Sequence, residues 1–142
     1  MKLSSKSEYA CLALVDLTER YGLGLSTIAG IAERKNIPKK FLEQILLVLK
    51  RAGYVKSRKG AEGGYRLNKP PRQISVAEIV RLMDGALAPV ESVSKYFYEP
   101  TPIEQCKPLV SIFRNIRDYI ARKLETTTFA DLAGSKRTRR AS

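Results

Sequence analysis

Residues 38–67 read Pro38-Lys39-Lys40-Phe41-Leu42-Glu43-Gln44-Ile45-Leu46-Leu47-Val48-Leu49-Lys50-Arg51-Ala52-Gly53-Tyr54-Val55-Lys56-Ser57-Arg58-Lys59-Gly60-Ala61-Glu62-Gly63-Gly64-Tyr65-Arg66-Leu67. Two periodicities follow one another in this stretch. Phe41, Leu42, Ile45, Leu46 and Leu49 recur at helical spacing and are expected to face inward. Pro38 suits the first turn of that helix, where its missing amide proton is no loss, and Gly53 is placed to close it after Ala52. Beyond the glycine the period drops to two. Val55 and Ser57 alternate with Lys56 and Arg58, and Tyr65 and Leu67 flank Arg66, as in paired strands. Gly60, Gly63 and Gly64 between them permit positive φ and a close approach of the backbone to another surface.

Just upstream, Ser26 or Thr27 can cap a shorter helix that carries Ile28, Ile31 and Ala32 inward and stops near residues 34–36. Helix, tight connection, helix and basic hairpin, in that order, imply a mainly α fold with a small β-hairpin wing. This winged helix-turn-helix arrangement lays its second helix in a groove of DNA. The polar side chains of that helix, Lys39, Lys40, Glu43 and Gln44, crowd the end that enters the groove. Glutamine suits an adenine edge and a carboxylate the cytosine amino group, while the lysines can serve bases or phosphates. A merely solvated helix face is the competing explanation. Arg58 and Lys59 at the hairpin tip suit a minor groove narrowed by A·T pairs. The phosphate-cradling loops of nucleotide-binding proteins have other spacings, absent here.

Charge supports the same division of labour. The 142 residues hold 26 Lys and Arg against 14 Asp and Glu, a net of +12. Residues 1–72 carry 15 basic and 6 acidic side chains, a net of +9, whereas residues 73–135 carry 7 and 8. The tail adds Lys136, Arg137, Arg139 and Arg140. A basic first half joined to a neutral second half implies a polyanion-binding part and a part with another task. There is no histidine, the commonest general base and metal ligand, so an enzyme is not expected. No apolar run approaches the ~18 residues that cross a bilayer, and Glu8, Asp16 and Glu19 interrupt the first apolar segment, so a cytoplasmic protein is expected. Two cysteines, Cys11 and Cys106, fit a reducing compartment.

Taken in order, Ser5 and Glu8 have capping-box spacing. They are expected to open a helix that ends near Gly22 and is apolar on nearly every side, hence covered by several neighbours. Pro70-Pro71 marks a boundary: residues 1–72 form the winged helix-turn-helix domain. Ser75 and Glu78 make a second capping box for a helix with Val76, Ile79, Val80 and Met83 inward and Gly85 as its stop. Residues 86–108 form an irregular effector or sensor loop, in which Tyr96, Phe97 and Tyr98 are expected as a packed lid. A long helix over 104–124 follows, with Leu109, Phe113, Ile116, Ile120 and Leu124 as the seam for a second copy of the chain. A bundle helix within one chain is the alternative. Residues 73–133 thus combine helix, loop and dimerisation helix, and residues 134–142 are expected as a disordered basic tail that attracts phosphates.

The motifs at Met1-Lys2-Leu3-Ser4, Tyr9-Ala10, Phe41-Leu42-Glu43-Gln44-Ile45-Leu46, Ala52-Gly53 and 57–67, with its Gly63-Gly64-Tyr65, closely resemble bacterial transcription factors of the IscR, NsrR and CymR type, the Rrf2 family. The resemblance spans roughly residues 1–125. It implies a homodimer built on the long C-terminal helix, with two recognition helices and wings reading a palindromic promoter site, most simply as a repressor. Carried over by position, Lys40, Glu43 and Gln44 fall where the family reads bases, and Arg58 to Gly60 at the wing tip. With Ser26, Thr27, Pro38, Lys39, Lys56, Lys59, Gly63, Gly64 and Tyr65 these make up the candidate DNA contacts.

The sequence departs from the family at one place. Cluster-binding members hold iron–sulfur through three cysteines in the loop before the dimer helix, some with an acidic or histidine ligand. Here that loop offers only Cys106, although Glu8 matches the acidic position in the first helix. One thiolate per chain falls short of the usual four ligands, so no cofactor is expected; an iron–sulfur cluster is the alternative. The loop is instead a candidate site for a small-molecule or protein effector. Cys106 is a candidate redox-responsive thiol or a small apolar residue of the dimer contact, and Cys11 is expected in the core. The expected partners are double-stranded DNA and a second copy, with no membrane. The competing functional class is a winged-helix module for protein–protein assembly that attracts nucleic acid only generally.

Overall fold

The structure, a computed structural model, describes residues 2–134; the basic stretch 136–140 lies outside them. The chain forms α1 (Ser5–Glu19), α2 (Ile28–Lys35), α3 (Lys39–Arg51), an antiparallel hairpin of β1 (Val55–Arg58) and β2 (Gly64–Leu67), α4 (Val76–Asp84) and α5 (Lys107–Thr126), with short 3-10 turns at Pro71–Gln73, Glu91–Val93 and Pro102–Gln105. It is mostly helical with a two-stranded wing, as the sequence implies.

α1 is the post around which the rest is built. Ala10, Ala13, Leu14 and Leu17 are buried from it into a core that also takes Ile31 of α2, Leu42, Ile45, Leu46 and Leu49 of α3, and Val55 and Leu67 of the hairpin. The small residues let neighbouring helices approach closely, and Leu and Ile fill the space between. Coverage is incomplete, because α2, α3 and α4 leave one side open and Leu12 is 40% exposed there. The N-cap is Ser4 rather than Ser5: Ser4 is extended and its hydroxyl accepts from the Ser7 amide at 3.2 Å. Asp84, at the end of α4, takes the Ser4 amide at 3.0 Å and its hydroxyl. It occupies the place that a capping-box glutamate would fill, and Glu8 stays exposed.

Asp16 is buried yet charged. It accepts from Arg34 Nε at 2.8 Å and Nη2 at 2.9 Å, a fork that ties α1 to the end of α2. Lys35 adds a 2.6 Å contact to Glu19 one turn along. α2 then stops at Asn36, whose left-handed φ of 53° is one a short amide side chain tolerates.

The Pro70-Pro71 break is real as chain geometry, but the same core continues past it. Ile74, Ile79 and Phe129 pack with the α1–α3 residues. α4 opens with the expected capping box, Ser75 accepting from the Glu78 amide at 3.2 Å while Glu78 accepts from the Ser75 amide at 2.8 Å. Glu78 also accepts from the Tyr54 hydroxyl at 3.1 Å, so one carboxylate serves the helix start and the entry to the wing. Burial, with the Glu78 charge beside it, pushes the Tyr54 phenol up to about 12.

α5 begins at Lys107, three residues later than its pattern suggests, because Pro102–Gln105 is a tighter turn and Cys106 is extended ahead of Pro108. After α5 the chain turns back. Thr127 accepts from the Val76 amide at 2.9 Å, and the Phe129 amide donates to Ile74 at 3.1 Å. The Phe129 side chain is fully buried. No helix among the described residues is long and apolar enough to cross a membrane.

Candidate nucleic-acid interface

α3 has two faces. Leu42, Ile45, Leu46 and Leu49 are buried, and opposite them Lys40, Glu43, Gln44 and Leu47 stand exposed at spacings of three, one and three, a single ridge along the helix. Lys39 is exposed at the helix start, and Pro38 holds the N-cap position without a side-chain bond. No described acid pairs with Lys39 or Lys40, so both ammonium groups are available. Phe41 is not an inward residue: it lies on the flank of the helix, 53% exposed, its ring 6.1 Å from that of Tyr9.

The wing is fastened to the helix-turn-helix by its backbone. Ser26 donates to Tyr65 at 2.8 Å and accepts from the Tyr65 amide at 2.7 Å, a third rung beside the hairpin. Only glycine lets the chains come so close. A Cβ at Gly64 would lie 2.5 Å from the Ser26 carbonyl oxygen, and one at Gly63 would lie 2.2 Å from that of Arg58. The register pairs Val55 with Leu67 and Ser57 with Tyr65 on the inner side, and Lys56 with Arg66 on the outer side. Arg58, Lys59 and Gly60 are exposed at the tip, Gly60 with φ of 109°.

The candidate contacts therefore divide by geometry. Lys39, Lys40, Glu43, Gln44, Lys56, Arg58, Lys59 and Gly60 face outward. Ser26 is buried, Tyr65 is half-buried against the core, and Gly63 and Gly64 are spacers. The Thr27 hydroxyl is occupied in capping α2, where it accepts from the Gly30 amide at 3.0 Å. These five residues aim the wing. The Asp16–Arg34 fork, which braces α2 behind α3, was missed in the sequence; an acid eighteen residues from an arginine carries no periodic signal.

The second half frames other surfaces. Ile120 and Leu124 of α5 turn inward and pack beside Ala77, Val80 and Leu87. Leu109, Ile112, Ile116 and Tyr119 stand outward at spacings of three, four and three, and Phe113 is half-buried. The seam expected from the sequence thus mixes two faces of the helix. Ile112 and Tyr119 belong to the exposed strip, while Ile120 and Leu124 serve this chain's own core. In the 86–108 loop, Tyr96, Phe97 and Tyr98 are exposed rather than packed as a lid. Arg81 lies over the Tyr96 ring at 4.9 Å and Lys95 at 5.3 Å, while the Tyr98 hydroxyl donates to Glu104, which raises its pKa. A groove of about 480 Å³ runs beside it, lined by Ser92, Tyr98, Glu104, Lys107, Val110 and Arg114.

Cys106 is exposed at the start of α5. Cys11 is half-buried, and burial, with the Asp84 carboxylate nearby, pushes its thiol up to about 11. No three Cys, Asp or Glu side chains converge on a point among the described residues. A lone exposed thiol and a neutral half-buried one do not fit the ligand set of an iron–sulfur cluster.

A family model described as Rrf2, iron-dependent transcriptional regulator, matches residues 3–135. The chain is 35% identical over 133 residues to the HTH-type transcriptional regulator CymR of Bacillus subtilis (strain 168), an alignment spanning 94% of this chain and 90% of that protein. The solved structure of B. subtilis CymR, the global cysteine regulator, matches with a TM-score of 0.79 at 32% identity, over 95% of this chain and 98% of that one. That of T. potens IscR matches with a TM-score of 0.75 at 31% identity, over 96% and 88%.

Proposed function

The chain belongs to the Rrf2 family of transcriptional regulators, and from that premise we propose that it acts as a homodimer which represses from a palindromic promoter site. Its relatives are HTH-type transcriptional regulators rather than enzymes or assembly modules. The finer reading concerns how it reads DNA. Each protomer inserts the ridge Lys40, Glu43 and Gln44 into a major groove and sets Arg58 and Lys59 at the neighbouring minor groove. Lys39 and Lys56 bind phosphates. The observation that carries this is the alignment of Lys40, Glu43, Gln44 and Leu47 on one exposed face, backed by four buried apolar residues and flanked by a wing fixed to the same unit.

Dimerisation is supported by the outward strip Leu109, Ile112, Ile116 and Tyr119, an apolar face on a helix about 30 Å long. Two copies of that strip bury each other's face. Paired reading heads then meet successive turns of one face of a duplex, which makes the site palindromic. Repression follows where such a site overlaps a promoter. The protein works in the cytoplasm, beside the chromosome it binds.

The signal is proposed to enter without a resident cluster. Two cysteines and no histidine in the whole chain, with neither thiol among other donors, favour a small molecule or partner protein bound at the 86–108 groove, where Lys107 and Arg114 meet Glu104 and Tyr98. Cys106 at its edge is open to oxidation. The test is selection of duplexes from a random pool. The selected and a scrambled duplex are then titrated at two salt concentrations, with iron analysis and an absorption spectrum of anaerobically purified protein. A preference of at least about a thousandfold for a palindrome supports the reading. Equal affinities reject it, and a visible cluster band rejects the cofactor part alone.

A further inference from the structure

The outer face of the wing carries a feature that reading by helix and wing tip does not use. Lys56 and Arg66 are directly cross-strand partners, both exposed. Like charges in that position destabilise a hairpin. Instead of an acid between them, a groove of about 590 Å³ opens there. Arg20 and Tyr21 at the end of α1 wall it on one side, and Lys56, Arg66 and Asn68 on the other. A second groove of about 300 Å³ continues it past Gly24 to Arg58. Among the described residues none of Arg20, Lys56, Arg58 and Arg66 has an ion-pair partner.

Four unpaired cations along one continuous trough, two of them at a cost to the strand pair, are explained by an anion that is absent from the free protein. The trough runs from the wing tip back towards α1, away from the ridge of α3. We propose that it is a second phosphate track, which holds the sugar–phosphate backbone of the duplex flanking the recognised site. The inference rests on the DNA-binding reading and adds an occupant for the back of the wing. Backbone contacts carry no sequence information but fix orientation and strengthen binding. The track makes affinity depend on DNA that lies outside the site.

The test uses the full chain and a series of duplexes that share one selected site, with flanks of zero to about ten base pairs on each side. For the wild type, affinity should rise as the flanks lengthen and then level off once the trough is filled. For R20Q/R66Q, the gain from flanks should shrink tenfold or more. On the long duplex the slope of log affinity against log salt should fall by about two, one unit per lost phosphate contact. Binding to the flankless duplex should stay close to wild type. The R66Q hairpin should be no less stable, since a repulsion is removed; a melting curve checks this. Wild-type affinity indifferent to flank length overturns the proposal without involving any variant. Equal losses on short and long duplexes overturn it as well. Saturation of the trough by micromolar inorganic pyrophosphate, with no flank dependence, would assign it to a small anion instead. A wild type with no preferred site would sink the DNA-reading proposal itself, a distinguishable result.

Discussion

Asp16 and Arg34 meet in a two-pronged ion pair, 2.8 and 2.9 Å, across the joint between α1 and α2, with the Asp16 side chain only 3% exposed. The charge on Asp16 holds the Arg34 guanidinium above its ordinary pKa. Desolvating the carboxylate is tolerable only while both oxygens are satisfied. R34L leaves it buried and unpaired and should cost about 3 kcal/mol, read as a lower urea midpoint. The double variant D16L/R34L, which removes both charges, should recover most of that loss. If it is as unstable as the single, the pair is not what braces α2.

G64A tests the seat of the wing. The new methyl would lie 2.5 Å from the Ser26 carbonyl oxygen, and that backbone cannot swing aside as a flexible side chain would. The Ser26–Tyr65 rung should break, with a stability loss on the order of 1–3 kcal/mol and weaker binding to all duplexes. Amide exchange at Tyr65, slow in the wild type, should become fast.

Q44A and E43A should each cost about 1–3 kcal/mol at a selected site and little on a scrambled duplex. Neither side chain is buried, so thermal unfolding should hardly move. Equal losses on both duplexes would remove these two residues from the reading face.

The outward strip of α5 separates from its inward face by mutation. I116D and I112D should yield monomers by sedimentation velocity, with the protomer still folded, because both side chains are exposed in it. L124D instead should unfold the region around Ala77, Val80 and Leu87. A dimer that survives I112D/I116D would move the interface elsewhere.

Cys11 gives a pH signature. Its thiol titrates near 11 in the folded chain against an ordinary value of 9.0, because burial and Asp84 disfavour the thiolate. A group whose folded pKa is raised contributes its stability fully below the unfolded value and loses it as pH climbs through the folded one. The difference in urea midpoint between wild type and C11A should therefore shrink between pH 9 and about 11. Below pH 8, iodoacetamide should label exposed Cys106 well before Cys11.

The reading unit was legible because its signals are local. The α3 stripe, the Gly63-Gly64 approach and the Ser75–Glu78 cap each sit within a few residues. What was misjudged depends on partners far along the chain. Ser4 became the cap because Asp84, eighty positions away, reaches its amide. Ile120 and Leu124 share a spacing with Ile116, and only the position of α4 decides which of them face inward. Phe41 has the hydrophobicity of a core residue but falls on the shoulder of the helix. Phe129, read as the last apolar residue before a basic tail, is fully buried.

Phe129 packs in the cluster that also holds Leu42 and Leu46, the rear of the reading helix. The end of α5 is thereby welded to the part that touches DNA, with no loose hinge between them. In a pair of chains joined along α5, the gap between the two heads is set like the opening of a calliper. A ligand that twists one helix against its mate by a few degrees would alter that opening, and with it which half-site separations fit.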